Sequence, residues 1–323
     1  MNIDLSSSKR NLKGFLFKLK FYRLNSILKR FYILPFHMIA TKPNGFFPEI
    51  SVEEFEKKMV HIKKYYEIVS LSEIVERMKG KKSIRGCMAI TFDDGFRDNY
   101  TVAYPILKKY NIPATIFLIP GFIDTGEVPW FIKLRYIFMQ TCLKRMRSDI
   151  NGQEYDLVME TSRERFLASE KLMQHLKRCE DDERKRLLDK LCEQLGINDF
   201  HKINNLMLTW EQIREMSDCG ISFGAHTISH PVLARLPLEK AEMEITESKK
   251  KIEVMIKKTV DSFAYPFGNT IDYSESIISL LRKMNFECAV TAKFAANNPH
   301  VNLFELGRCA PWEMIFLSSH RLQ

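Results

Sequence analysis

Short, mostly apolar runs recur along this chain, separated by stretches of helical periodicity, and this alternation limits the fold more than any other feature. The runs include Cys87-Met88-Ala89-Ile90, 114–119, Ile221-Ser222-Phe223, 260–264 and 288–291, all too short for buried helices. They read as buried strands. Adding 31–34, 67–69 and 303–308 brings the count to about eight strand candidates. Between them, Ser51 with Glu54, Ser70 with Glu73 and Thr209 with Gln212 form capping boxes that start helices, and Gly80 and Gly220 stand where helices end. Pro105 opens a further helix over 103–110, and Leu238, Ala241, Ile245, Ile252 and Ile256 mark a long one. Strand and helix alternating across short connections predict an α/β chain with a parallel sheet or barrel.

Polar residues collect where the runs end. Asp93 and Asp94 follow the 87–90 run, and two adjacent acids at a strand end cannot both point into the core. One must meet a cation, a metal or water; the plainer reading of Asp-Asp-Gly is a tight turn. His226 and His230 follow the 221–223 run, and a spacing of four predicts both rings on one side of a helical turn. Two imidazoles and a carboxylate are a common ligand set for a catalytic divalent ion with one position left open. The isolated His61, His175, His201 and His300 read as structural or surface residues. In a (β/α) barrel, chemistry sits just past the strand ends, and Asp93, Asp94, His226, Tyr265, His37 and Arg308 all fall there.

Three ordered motifs carry a resemblance: Thr91-Phe92-Asp93-Asp94-Gly95, His226-Thr227-Ile228-Ser229-His230-Pro231 and Phe263-Ala264-Tyr265-Pro266-Phe267-Gly268. Over roughly residues 30 to 310 the chain resembles the polysaccharide deacetylase family, also called the NodB-homology or carbohydrate esterase 4 group. That resemblance implies a distorted (β/α) barrel of the NodB-homology type and a metal-dependent deacetylase acting on an acetylated saccharide. By position it implies Asp94, His226 and His230 as metal ligands, Asp93 as catalytic base, and an oxyanion contact from a backbone N–H near Tyr265. Phe36-His37 resembles an aromatic-His pair of the family, so His37 is expected at the same rim, with a structural hydrogen bond as the alternative role. Zn²⁺ suits two imidazoles and a carboxylate, and Co²⁺, Ni²⁺ or Fe²⁺ fit similar sets.

The chain also departs from the family. Ala264 stands where many members carry an arginine that orients the base, and Arg308 is the expected replacement, able to pair bidentately with a carboxylate. Neither a late Asp-x-x-Asp-Trp segment nor a Leu-x-His motif is recognisable, so the proton donor is open, with His37 a candidate; the terminal Ser318-Ser319-His320 is assigned no role.

The 323 residues carry a net charge of +9, which raises the question of nucleic acid. Eight of those charges are the basic residues at 9, 10, 13, 18, 20, 23, 29 and 30, a stretch without acids, and removing them from +9 leaves the rest of the chain at +1. No nucleic-acid face is therefore expected. Residues 1–30 form a basic amphipathic segment, and 31–323 form the deacetylase-like domain. The segment reads as a helix packed on the domain or as an interfacial helix on anionic lipid. Seven scattered cysteines without paired spacing argue against a disulfide framework. They fit a cytoplasmic protein, peripheral at the inner face of the membrane if the segment binds lipid.

Between about 122 and 208 the alternation stops, and two charged amphipathic helices are expected near 163–177 and 183–195. The insertion follows a strand and so belongs to the catalytic rim. It reads as a wall of the substrate groove, with Trp130 and Phe131 as sugar-stacking residues, or as a peripheral packing unit. The expected activity is removal of an N-acetyl group, with O-acetyl or N-formyl as variants, from a saccharide of envelope polysaccharide metabolism. Two alternatives stay open from the sequence: a carbohydrate-binding protein that has lost turnover, and a metal-dependent amidohydrolase acting on a non-sugar amide. The sugar and the oligomeric state are not legible.

Overall fold

The computed structural model describes residues 30–309. The segment 1–29 and the terminal Ser318-Ser319-His320 lie outside the described residues. The framework is one parallel sheet of seven strands: β1 (Tyr32–Phe36), β4 (Glu67–Ile68), β5 (Cys87–Phe92), β6 (Thr115–Leu118), β9 (Ser222–Ala225), β10 (Ser262–Ala264) and β11 (Cys288–Val290). Its order is β1-β5-β6-β9-β10-β11, with β4 paired to the start of β5. Two short strands, β2 (Met38–Ala40) and β3 (Glu49–Ser51), form a parallel pair of their own.

All six residues of β5 are buried, as are those of β6, β10 and β11, which accounts for apolar runs that do not alternate. Helices cover the outside: α1 (Val52–Tyr65), α2 (Leu71–Lys79), α3 (Tyr104–Tyr110), α7 (Trp210–Asp218), α8 (Leu238–Ile256) and α9 (Glu275–Lys283). Ser51 and Ser70 accept the N–H groups of Glu54 and Glu73, and Thr209 with Gln212 makes a complete capping box. The π-helical turn 99–103 runs directly into α3, so Pro105 sits near the start of the regular helix.

The eighth position of the barrel is not a strand. Around 303–308 the chain turns, with the Asn302 side chain accepting the Phe304 N–H, and touches β11 through one bridge, Val290 to Leu306. The side-chain amide of Asn297 exchanges hydrogen bonds of 2.8 Å in both directions with the Gly307 backbone, doing the work of a strand partner. Cys309 N–H then reaches the Ile33 carbonyl of β1 at 3.0 Å. The sheet thus curls into a distorted barrel whose seam is bridged by irregular chain.

The insertion contains the two expected helices, α5 (Ser162–Leu176) and α6 (Asp181–Leu195), and two elements that were not expected. These are α4 (Trp130–Gln140) and an antiparallel hairpin of β7 (Arg145–Ile150) with β8 (Gln153–Val158). The unit has its own apolar cluster, including Ile132, Leu134, Ile137, Tyr155, Leu172, Leu176 and Leu191, which joins the barrel rim through Met38, Phe96 and Ile119. No helix among the described residues is long and apolar enough to cross a membrane.

Candidate active site

β5 delivers both carboxylates. It ends at Phe92, and Asp94 (φ 72°) and Gly95 (φ 78°) turn the backbone sharply in the left-handed region. The positive φ favours glycine at 95, and a Cβ there would also stand 2.8 Å from Leu118 Cδ2 and push that side chain aside. The turn sends the two side chains to different partners. Asp93 Oδ1 accepts from Arg308 Nη1 at 2.7 Å, and its Oδ2 lies 3.7 Å from His37 Nε2. Asp94 Oδ1 lies 3.4 Å from His226 Nε2 and 3.5 Å from His230 Nε2.

The histidine motif is not helical, contrary to the expectation from its spacing. It is an irregular loop after β9, and Thr227 (φ 64°) and His230 (φ 61°) are left-handed. That conformation costs on the order of 1–2 kcal/mol per non-glycine residue and is least tolerable for a β-branched one. Hydrogen bonds offset the cost: His230 N–H donates to Thr227 Oγ1 at 3.0 Å, and the Glu244 carboxylate of α8 accepts from Ile228 N–H, Ser229 N–H and Ser229 Oγ–H. Bonds to a charged acceptor contribute about 1.5–3 kcal/mol each. His226 Nδ1 donates to the Ala264 carbonyl at 2.6 Å, which leaves its Nε2 as a lone pair facing His230 Nε2 at 3.2 Å.

Asp94, His226 and His230 are all buried, and their ligand atoms lie within 4.8 Å of one another. Asp94 Oδ1 has no hydrogen-bond donor among the described residues. A buried carboxylate oxygen without a donor, facing two imidazole nitrogens, fits a divalent cation, and against the effect of its burial Asp94 and Asp93 raise the His226 pKa. Burial and the neighbouring His226 drive the His230 pKa down to about 3, which keeps that ring neutral as a ligand must be. Burial alone would raise Asp93, but the Arg308 guanidinium and His37 hold it well below the usual carboxylate range, so it is ionised. Around the triad stand Phe131 and Phe267, with ring centroids 4.6 Å and 4.7 Å from that of His230.

Of the residues singled out in the sequence, Asp93, Asp94, His226, His230, His37 and Arg308 converge here. Arg308 pairs through one nitrogen, Nη1, instead of bidentately, because its Nε donates to the Thr291 carbonyl at 2.8 Å. Tyr265 is not brought into the site. Its hydroxyl donates to the Phe304 carbonyl, its ring stacks on Tyr273 at 4.2 Å, and its N–H is used by the Val290 carbonyl of β11. The neighbouring Phe267 (φ 61°) takes the place expected of it, with an N–H that has no acceptor among the described residues. Phe131 is buried against His230 and offers no face for a sugar, while Trp130 Nε1 donates to the His230 carbonyl at 3.4 Å. Sequence reasoning missed Phe267, Glu244 and Lys177, whose ammonium lies 3.7 Å from the Phe267 ring centroid. Of these only Phe267 had a signal, the Pro-Phe-Gly turn.

A parallel barrel with a buried Asp-His-His cluster and an arginine-held carboxylate at its rim carries its candidate catalytic groups where barrel enzymes carry theirs. The polysaccharide deacetylase family model matches residues 80–289, and the chain belongs to that family. A putative polysaccharide deacetylase of Bacillus subtilis is 25% identical over 278 residues, covering 85% of this chain and 69% of its own. The poly-β-1,6-N-acetyl-D-glucosamine N-deacetylase of Staphylococcus aureus is 39% identical over 80 residues, or 24% of this chain and 26% of its own. Among solved structures, a Streptococcus pyogenes deacetylase in complex with acetate superimposes with a TM-score of 0.59 at 19% identity, covering 89% of this chain and 97% of the other. IcaB from Ammonifex degensii gives 0.58 at 19%, covering 90% and 96%. These likenesses establish the NodB-type barrel and a carbohydrate deacetylase.

Proposed function

We propose that this enzyme is a divalent-metal-dependent N-deacetylase acting on an N-acetylhexosamine glycan, with a β-1,6-linked N-acetylglucosamine polymer as the first candidate. The observation that carries the reading is the division of two adjacent carboxylates between two environments: Asp94 faces the imidazoles, and Asp93 faces Arg308. The local likeness to the Staphylococcus aureus enzyme supports the glycan class.

In this reading Asp94, His226 and His230 would hold the ion, most suitably Zn²⁺. When bound, the ion supplies Lewis acidity toward the acetyl carbonyl and toward the attacking water. Asp93 takes the proton of that water; its ionised state, fixed by Arg308, makes it competent to do so. The tetrahedral oxyanion is received by the N–H of Phe267, which replaces Tyr265 in that role. Breaking the C–N bond requires a proton on the leaving amine. His37, on the open side of Asp93 with a side chain 37% exposed, stands where that proton can be relayed.

Metal content and acetate release, measured together on N-acetylated oligosaccharides that include β-1,6-linked N-acetylglucosamine oligomers, test the reading. Wild type is expected to hold metal and release acetate; Asp94→Ala loses both, and Asp93→Asn keeps the metal but not the activity. Wild type with bound metal and no acetate from any glycan would sink the proposed reaction, and wild type without metal would sink the ligand assignment.

A further inference from the structure

The barrel places His226 at the end of β9, but the four residues after it form a loop whose shape no strand or helix dictates. Two points grip the middle of that loop from opposite sides. Glu244 Oε2 accepts the N–H groups of Ile228 and Ser229 at 2.8 and 2.9 Å, and its Oε1 accepts the Ser229 hydroxyl at 2.8 Å. From the other side, Gly121 N–H donates to the Ile228 carbonyl at 3.0 Å, and a Cβ on Gly121 would sit 2.2 Å from that oxygen.

We propose that Glu244 is a positioning residue for the metal ligands, holding the 226–230 loop in the shape that makes the His226 and His230 imidazoles converge. The inference rests on the metal-site reading above and concerns a residue that touches neither ligand ring. Its carboxylate is not capping its own helix, since α8 begins at Leu238 and residue 244 lies well past the first turn. All three of its hydrogen bonds go instead to the two residues midway between the histidines. Of the loop's other polar contacts, His226 Nδ1 on the Ala264 carbonyl and Trp130 Nε1 on the His230 carbonyl act at its ends, and His230 N–H on Thr227 Oγ1 lies within it. Among the described residues, only Gly121 N–H on the Ile228 carbonyl grips its middle from outside besides Glu244. With Glu244 removed, two half-buried backbone N–H groups lose their acceptor, and the left-handed residues Thr227 and His230 are free to relax toward negative φ. Rotation at either one swings the rings apart.

The test is Zn²⁺ affinity of the full chain by competition with a chromogenic chelator, alongside the melting temperature of the metal-free protein. Glu244→Ala is expected to bind Zn²⁺ about 10- to 100-fold more weakly, the range seen when partners that orient metal ligands are removed. Glu244→Gln should stay within a few-fold of wild type, because its carbonyl still accepts both N–H groups and its amide can donate to Ser229 Oγ. If Glu244→Ala does not accumulate as folded protein, Glu244→Asp, with its carboxylate withdrawn by one methylene, carries the test with the same sign. Lowered melting temperatures with wild-type Zn²⁺ affinity in the Ala and Asp variants, while His226→Ala loses the metal, would reduce Glu244 to a structural residue and overturn the proposal. Wild-type affinity in His226→Ala would instead defeat the metal-site reading and leave the loop geometry as packing alone.

Discussion

The barrel and its 122–208 insertion are both well-packed units, yet they use their sequences differently. Strands β1, β5 and β9 each bury an apolar run and then deliver a polar residue at the rim: His37, Asp93 with Asp94, and His226. The insertion delivers almost nothing polar to the site. Its residues near the triad are Phe131, Trp130 and the ammonium of Lys177, and its apolar residues serve its own cluster. A single substitution at a barrel strand end is therefore expected to change chemistry most, and one of the same size in the insertion's own cluster to change mainly stability.

The largest test of that contrast is Arg308→Met. Leaving Asp93 buried without its guanidinium should cost about 3–5 kcal/mol of stability and nearly all acetate release, read by denaturant titration and a coupled acetate assay. The pH dependence should also change sign. In wild type the folded Asp93 pKa lies below its ordinary 3.8, so its contribution to stability is present above that value and is lost as pH falls through the folded pKa. In the variant burial opposes ionisation without the guanidinium and the folded pKa rises, so stability should instead fall as pH rises above the ordinary Asp value. Unchanged pH dependence would show that Arg308 does not govern Asp93.

Next in size is Leu172→Ala inside the insertion, at a fully buried position, which should cost about 2–5 kcal/mol. Acetate release per folded molecule should stay within a few-fold of wild type; a collapse of turnover at full folding would erase the proposed division of labour. Trp130→Phe probes the seam between the units. Removing one long hydrogen bond to the His230 carbonyl should cost about 0.5–1.5 kcal/mol and lower kcat a few-fold. The smallest effect is expected at the exposed pair of Arg145 and Asp156 on the hairpin, where Asp156→Asn should leave the melting temperature and turnover unchanged within error.

How much the sequence disclosed follows the same contrast. Each buried strand of the barrel is a run that can be nothing else, and the capping serines and Thr209 fix where its helices begin, so the alternation and the rim position of Asp93, Asp94 and His226 were all readable. The histidine loop was misread because a spacing of four suits a helix, whereas the actual turn depends on two left-handed residues and on Glu244, which is distant in the chain and unmarked by any motif. The oxyanion N–H was expected near Tyr265; only the sheet register reveals that the Tyr265 N–H belongs to the Val290 carbonyl, and that Phe267, two residues on, keeps an N–H without an acceptor among the described residues. In the insertion, the hairpin strands are mixed polar and apolar with charges at Arg145, Arg147, Asp149 and Asp156, and α4 begins after Pro129 without a side-chain cap. The helix carries no local signal and is specified by the cluster it covers; the hairpin has one that was passed over, the Asn151-Gly152 pair, whose positive φ values of 54° and 76° make the two-residue turn between β7 and β8.

The irregular seam of the barrel also bears on how the protein matures. Arg308 and Asp93 are 215 residues apart in sequence, and the stretch that carries Arg308 is the one that bridges β11 and β1. A chain emerging from the ribosome can form β1, β5 and the Asp94 turn long before residue 308 exists, but the base has no countercharge until the seam closes. As long as the seam is open, β1 and β11 keep unpaired edges and Asp93 lacks its countercharge. Closing the ring and giving Asp93 its countercharge are the work of one stretch of chain.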